Sequence, residues 1–156
     1  MKNPYQNPSF VKHIFVITLI AGTLDGLAAV IFLAKMKFAS TFQYIVSAIF
    51  GKTAFEGGSK MVLAGLLLHY FITFIFVNIY MIVSIDSVLL KKQKIIAGIV
   101  YGIIVWSIMN LLVVPLTPIP HGKFNIERAV INCIVLILCI GLPISLLAAR
   151  QNTIRH

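Results

Sequence analysis

Four long apolar runs, about residues 14–34, 61–85, 95–115 and 129–149, take up most of the chain and are separated by shorter polar stretches. Each has about 20 residues or more, enough at roughly 1.5 Å per residue to cross a hydrocarbon core about 30 Å thick. Only a helix satisfies its own backbone hydrogen bonds in lipid, so each run predicts a transmembrane helix. The fold expected is an all-α integral membrane protein of four spans, with both termini on one side. Between the first two spans, Phe42, Ile45, Val46, Ile49 and Phe50 recur at helical spacing, with Ser40, Thr41, Gln43 and Ser47 on the other side. That pattern predicts a short amphipathic helix over about residues 40–50, stopped by Gly51 and too short to span. It belongs at the interface or dips back into the bundle as a re-entrant element.

The connections are read from their breakers and charges. Glu56, Gly57 and Gly58 predict a turn into the second span, and Lys91, Lys92 and Lys94 predict a tight basic loop after it. Pro115, Pro118 and Pro120 predict a stiff extended segment before the fourth span. No repeat divides the chain, so residues 1–156 form one membrane domain. The first run extends past the length of a signal-peptide core, which predicts that it is retained as a span.

Composition agrees with this picture: 60% of the residues are hydrophobic and 11% charged, against about 25% charged in an average soluble domain. The formal net charge of +9 lies in loops and at helix ends, with no basic stripe that would read a nucleic acid. With the N-terminus inside, the inner side carries Lys2, Lys12, Lys91, Lys92, Lys94, Arg150 and Arg155, and the outer side Lys35, Lys37, Lys52, Lys60, Lys123 and Arg128. The totals nearly balance, and the dense Lys91–Lys94 loop tips the expectation to cytoplasmic termini.

One charge does not fit a membrane helix. Asp25 is the only acid inside an apolar run, where a carboxylate costs roughly 2.5–3.5 kcal/mol on insertion scales. Counting from the side of the amphipathic connection, Asp25 lies roughly 13 Å deep and His69 of the second span roughly 12 Å deep. Ser107 of the third span falls near the same level, with Asn110 closer to the surface and Asn132 on the same side of the fourth span. Asp25, His69, Ser107 and Asn110 predict a polar pocket between the first three spans that opens toward the amphipathic connection, and Asn132 belongs to the polar fringe on that side. A carboxylate beside an imidazole offsets the desolvation of both, and such a pair is the form that a membrane proton relay takes. The alternative is structural: Asp25 as hydrogen-bonding glue between helices.

Gly22 and Gly26 form a GxxxG pattern around Asp25, and Gly98 and Gly102 form another, which predicts close packing of the first span on the third or a homodimer face. Pro143 predicts a kink near Cys139. Cys133 and Cys139 are spaced poorly for a disulfide and lack a metal-binding companion. With no HExxH, P-loop, GxSxG or Cys/His cluster, no catalytic residue, cofactor or metal is expected.

The segments Ala21–Asp25, Tyr44–Lys52, Ala54–Gly58 and Tyr101–Trp106, with Asn110 and Pro115, resemble small bacterial inner-membrane proteins of the YagU-like family, whose function is unknown. The resemblance implies a bacterial inner membrane and a four-helix architecture, and brings no catalytic residues. The leading expectation is a pocket at Asp25 and His69 that binds or conducts a proton, cation or small polar solute, with transport requiring a homo-oligomer. The alternative is a structural or accessory subunit that binds a partner membrane protein.

Overall fold

The first helix starts earlier than its apolar run. In the computed structural model, which describes residues 4–33, 37–118 and 125–153, α1 spans Pro8–Ala28 and continues through a π-type turn at Ala29–Leu33. The Asn7 side chain accepts a hydrogen bond from Ser9 N at 2.9 Å, and Pro8 follows at the first helical position, where no donor is needed. Lys12 and His13 therefore lie within the helix, and the His13 ring bonds the Ser9 carbonyl at 2.7 Å. Ala34, Lys35, Pro120, His121, Lys123, Lys2, Arg155 and His156 lie outside the described residues.

The amphipathic helix is α2, Phe38–Phe50, ended by Gly51 in a left-handed conformation with φ of 60°. The second span is α3, Gly58–Asp86. After it comes a short helix, α4 at Val88–Lys92, where the basic pattern predicted only a loop; the Ser87 hydroxyl caps it by accepting from Leu90 N at 3.3 Å. The third span is α5, Lys94–Ser107, prolonged by a π-type turn at Ile108–Val113 and a tighter turn at Val114–Leu116. The fourth joins α6, Ile126–Leu136, to α7, Leu142–Thr153, through a π-type turn at Ile137–Gly141. That turn stands directly before Pro143, whose missing N–H frees a carbonyl one turn back.

The chain is an all-α protein with four helices long and apolar enough to cross a membrane: Pro8–Phe32, Gly58–Asp86, Lys94–Leu116 and Ile126–Arg150. The first span packs on the second and on the fourth, and the third packs on the fourth. The backbones of the second and third spans, although adjacent in the chain, stay apart and are bridged by the Tyr101 side chain.

Glycines set these pairings, and not as the sequence pattern suggested. A Cβ at Gly102 would stand 2.5 Å from the Ile137 Cα, and one at Gly141 would fall on the carbonyl of Gly98, so the second glycine pair seats the third span on the fourth. A Cβ at Gly22 would meet the Tyr70 ring at 2.8 Å, and one at Gly26 would stand 3.3 Å from His69 Nε2, so the first pair seats the first span on the second. The close approach of the first span to the third is thereby corrected. Gly65 does the same for α2, since a Cβ there would overlap the Phe42 carbonyl.

Apolar packing is concentrated in the half of the bundle nearest the termini, where Phe10, Ile14, Ile17, Val77, Met81 and Ile144 are buried together. In the other half, α2 lies against α3 through Thr41, Phe42, Val46 and Ser47, all buried. Ile49 and Phe50, on the apolar side of the pattern, are exposed, whereas Thr41 and Ser47 of its polar side turn inward. Their hydroxyls donate to the carbonyls of Lys37 and Tyr44, so neither is left unsatisfied.

Candidate functional site

The half of the bundle without the apolar core contains a cavity of about 160 Å³. All four spans and α2 contribute to it, one more span than the sequence pattern placed there. Its polar lining is Asp25, His69, Thr73, Asn110 and Asn132, and Ile45 of α2 closes part of its wall. Cavities of this size and polarity accommodate several water molecules or a small solute.

Three of the four expected site residues come together here: Asp25, His69 and Asn110. The fourth, Ser107, lies outside the lining, and its hydroxyl donates to the Ile103 carbonyl of its own helix at 2.9 Å. Depth placed it correctly along the bundle axis, but its direction around the helix took it away. Asn132 entered the sequence reading only as part of a polar fringe, and Thr73 did not enter at all. Its one signal is its spacing of four residues from His69, which puts both on one face of α3.

The π-type turns are a second feature that hydropathy did not reveal. Ala29 belongs to the first, Asn110 and Met109 to the second and Ile140 to the third, and all four line the cavity. A π-type turn widens the helix locally and shifts the register of the face it presents, and such turns recur at functional sites.

Asp25 and His69 interact through space, but they are not hydrogen-bonded to each other. His69 Nε2 instead donates to the Gly22 carbonyl at 2.8 Å, which assigns the ring proton to Nε2, because a carbonyl can only accept. Phe42 of α2 stands edge-on to the imidazole with centroids 6.0 Å apart, and Tyr70 does so at 5.6 Å. The ring is therefore held on three sides. It also forms the wall between this cavity and a second one of about 140 Å³ that contains Thr23 and Tyr70, whose hydroxyls are 2.8 Å apart.

The other polar side chains turn donors away from the cavity. Thr73 Oγ1 donates to the His69 carbonyl at 3.0 Å, and Asn110 Nδ2 to the Trp106 carbonyl at 2.9 Å. Asn132 Nδ2 donates to Asn110 Oδ1 at 3.3 Å. What these bonds leave unspent is the Asp25 carboxylate, lone pairs on Thr73 Oγ1, the Asn132 amide oxygen and one amide N–H on each asparagine. Among the described residues, none hydrogen-bonds the Asp25 carboxylate, and no group of three or more His, Cys, Asp or Glu side chains has the arrangement of a metal site.

Fold and site together define a multi-pass membrane protein with a largely apolar cavity that also carries Asp25, His69, Thr73, Asn110 and Asn132. Compared with family models, curated proteins and solved structures, the chain finds no match.

Proposed function

We propose that this chain binds a cation, either a proton or a small cationic solute, in the cavity lined by Asp25, His69, Thr73, Asn110 and Asn132. The observation that carries the reading is the direction of the hydrogen bonds. The donors of His69 and Thr73 and one amide N–H of Asn110 go to backbone carbonyls, and the Asp25 carboxylate and the Asn132 amide oxygen accept from no described residue. An anion would meet lone pairs and a negative charge there, whereas a cation would find several oxygen acceptors in a medium of low dielectric. The resemblance to YagU-like proteins and the dense Lys91–Lys94 cluster support a bacterial inner membrane with cytoplasmic termini. In that orientation the cavity lies in the outer half of the membrane. Transport across the remaining half, which the apolar core fills, would require a homo-oligomer or a rearrangement of that core.

Asp25 as interhelical glue fits less well, because a glue residue is hydrogen-bonded across a helix interface, and no described residue bonds this carboxylate. The single tryptophan of the chain, Trp106, provides the test, since its carbonyl holds Asn110 at the cavity edge. The purified protein in nanodiscs is titrated with sodium, potassium or methylammonium chloride at constant ionic strength, and separately with acid, while Trp106 emission is followed. A saturable change that Asp25→Asn removes and Ser107→Ala retains is expected. A response that is unchanged in Asp25→Asn, or one that tracks the anion, would overturn the proposal.

A further inference from the structure

The second and third spans diverge, and the cleft between them has a volume of about 600 Å³, within the range of ligand sites. It is walled by Ile79 and Val83 of α3, Leu89 of α4 and Val100 and Ile104 of α5. Its floor is the edge-on pair of Tyr80 and Tyr101, with ring centroids 4.8 Å apart. Both hydroxyls are engaged elsewhere: Tyr80 donates to Ser145 Oγ at 2.8 Å and Tyr101 to the Phe76 carbonyl at 2.6 Å. The floor therefore offers ring carbon to an occupant, and the cleft suits hydrocarbon rather than a polar solute.

Length and charge narrow the occupant further. From Gln93 to Ile104 the cleft runs roughly 16 Å along the third span, about half of a ~30 Å hydrocarbon core. A transmembrane helix of a partner or of a second copy needs a groove through both leaflets, whereas an acyl chain needs one. At the polar end Gln93 lines the cleft, and its sequence neighbours Lys92 and Lys94 are exposed. Clustered lysines at a membrane surface attract anionic headgroups.

We infer that the cleft between the second and third spans seats an acyl chain of an anionic phospholipid, whose headgroup phosphate is held by Lys92 and Lys94. The site is in the opposite half of the bundle from the Asp25 cavity and does not depend on what that cavity binds.

Native mass spectrometry of the full chain, stripped of lipid in mild detergent and titrated with dioleoyl phosphatidylglycerol or dioleoyl phosphatidylcholine, tests the inference. The two lipids share their chains and differ in net headgroup charge. A preference of roughly thirtyfold for phosphatidylglycerol is expected, on the scale of two lysines acting near an anionic group. Lys92→Gln combined with Lys94→Gln should reduce that preference to parity, and because both side chains are exposed the variant keeps its packing. Val100→Trp, which fills the cleft, should reduce binding of both lipids severalfold while circular dichroism stays helical. Equal binding of the two lipids by the unmodified chain, or an unchanged preference in the lysine variant, would overturn the inference. So would a wild-type dimer that Val100→Trp dissolves, which would make the occupant a second copy.

Discussion

Replacing Asp25 by Leu should stabilise the protein while removing its response to cations. An acid near the centre of a membrane helix costs roughly 2.5–3.5 kcal/mol on insertion scales, and a leucine there gains about 0.3–0.6 kcal/mol. The cavity of about 160 Å³, with His69, Thr73, Asn110 and Asn132 in its lining, recovers part of the carboxylate's solvation. The net gain on substitution is therefore roughly 1–3 kcal/mol, smaller than the full difference. At about 2–4 °C per kcal/mol for a chain of this size, the melting midpoint should rise by roughly 2–12 °C. Cys133 and Cys139 are free, partly buried thiols, so a thiol-reactive dye followed on heating reports unfolding without an added probe. Among the described residues, none hydrogen-bonds the carboxylate, so its removal breaks no bond between helices. A lower midpoint in the Leu variant would mean that the carboxylate holds helices together, and the cation-site reading would give way to interhelical glue.

Four further outcomes follow from the packing and the local backbone chemistry. Gly141→Ala places a methyl group on the Gly98 carbonyl, where no flexible side chain can yield, so the midpoint should fall with a loss of about 1–3 kcal/mol. Gly58→Ala, at φ of 56° with open space around it, should lose only about 1 kcal/mol in the same assay. Tyr101→Phe removes the 2.6 Å bond to the Phe76 carbonyl that ties the third span to the second, at a cost of about 0.5–1.5 kcal/mol by thermal melting. Asn125→Ala removes the cap that accepts from Arg128 N at 2.9 Å, and hydrogen exchange should quicken in the first turn of α6.

The polar site was partly legible in the chain because depth along a membrane helix is nearly a linear function of residue number. Asp25 and His69, placed at matching depths, do line one cavity, and Asn110 joins them there. Ser107 shows the limit of that argument: a residue at the right level can point the wrong way, and its hydroxyl found a carbonyl on its own helix. Thr73 and the three π-type turns stayed hidden, since neither changes the hydropathy of its segment.

Hydropathy was sufficient for the number of spans, their approximate ends and the presence of α2, because removing backbone amides from water forces any long apolar run into a helix. The caps at Asn7 and Asn125 refined two of those ends by local chemistry that is also written in the residues. Which face of each helix turns inward was a different matter. In water an apolar stripe marks the buried side, but lipid accepts apolar residues as readily as a protein core does. Ile49 and Phe50 could therefore stay outside while Thr41 and Ser47 packed inward. The glycine pairs likewise announced close approach without naming a partner, and the shapes of facing backbones, Gly102 against Ile137 and Gly26 against His69, made that choice. The cavity at Asp25 and the cleft above Tyr80 and Tyr101 both follow from it, being the spaces left where helices chosen by shape do not meet.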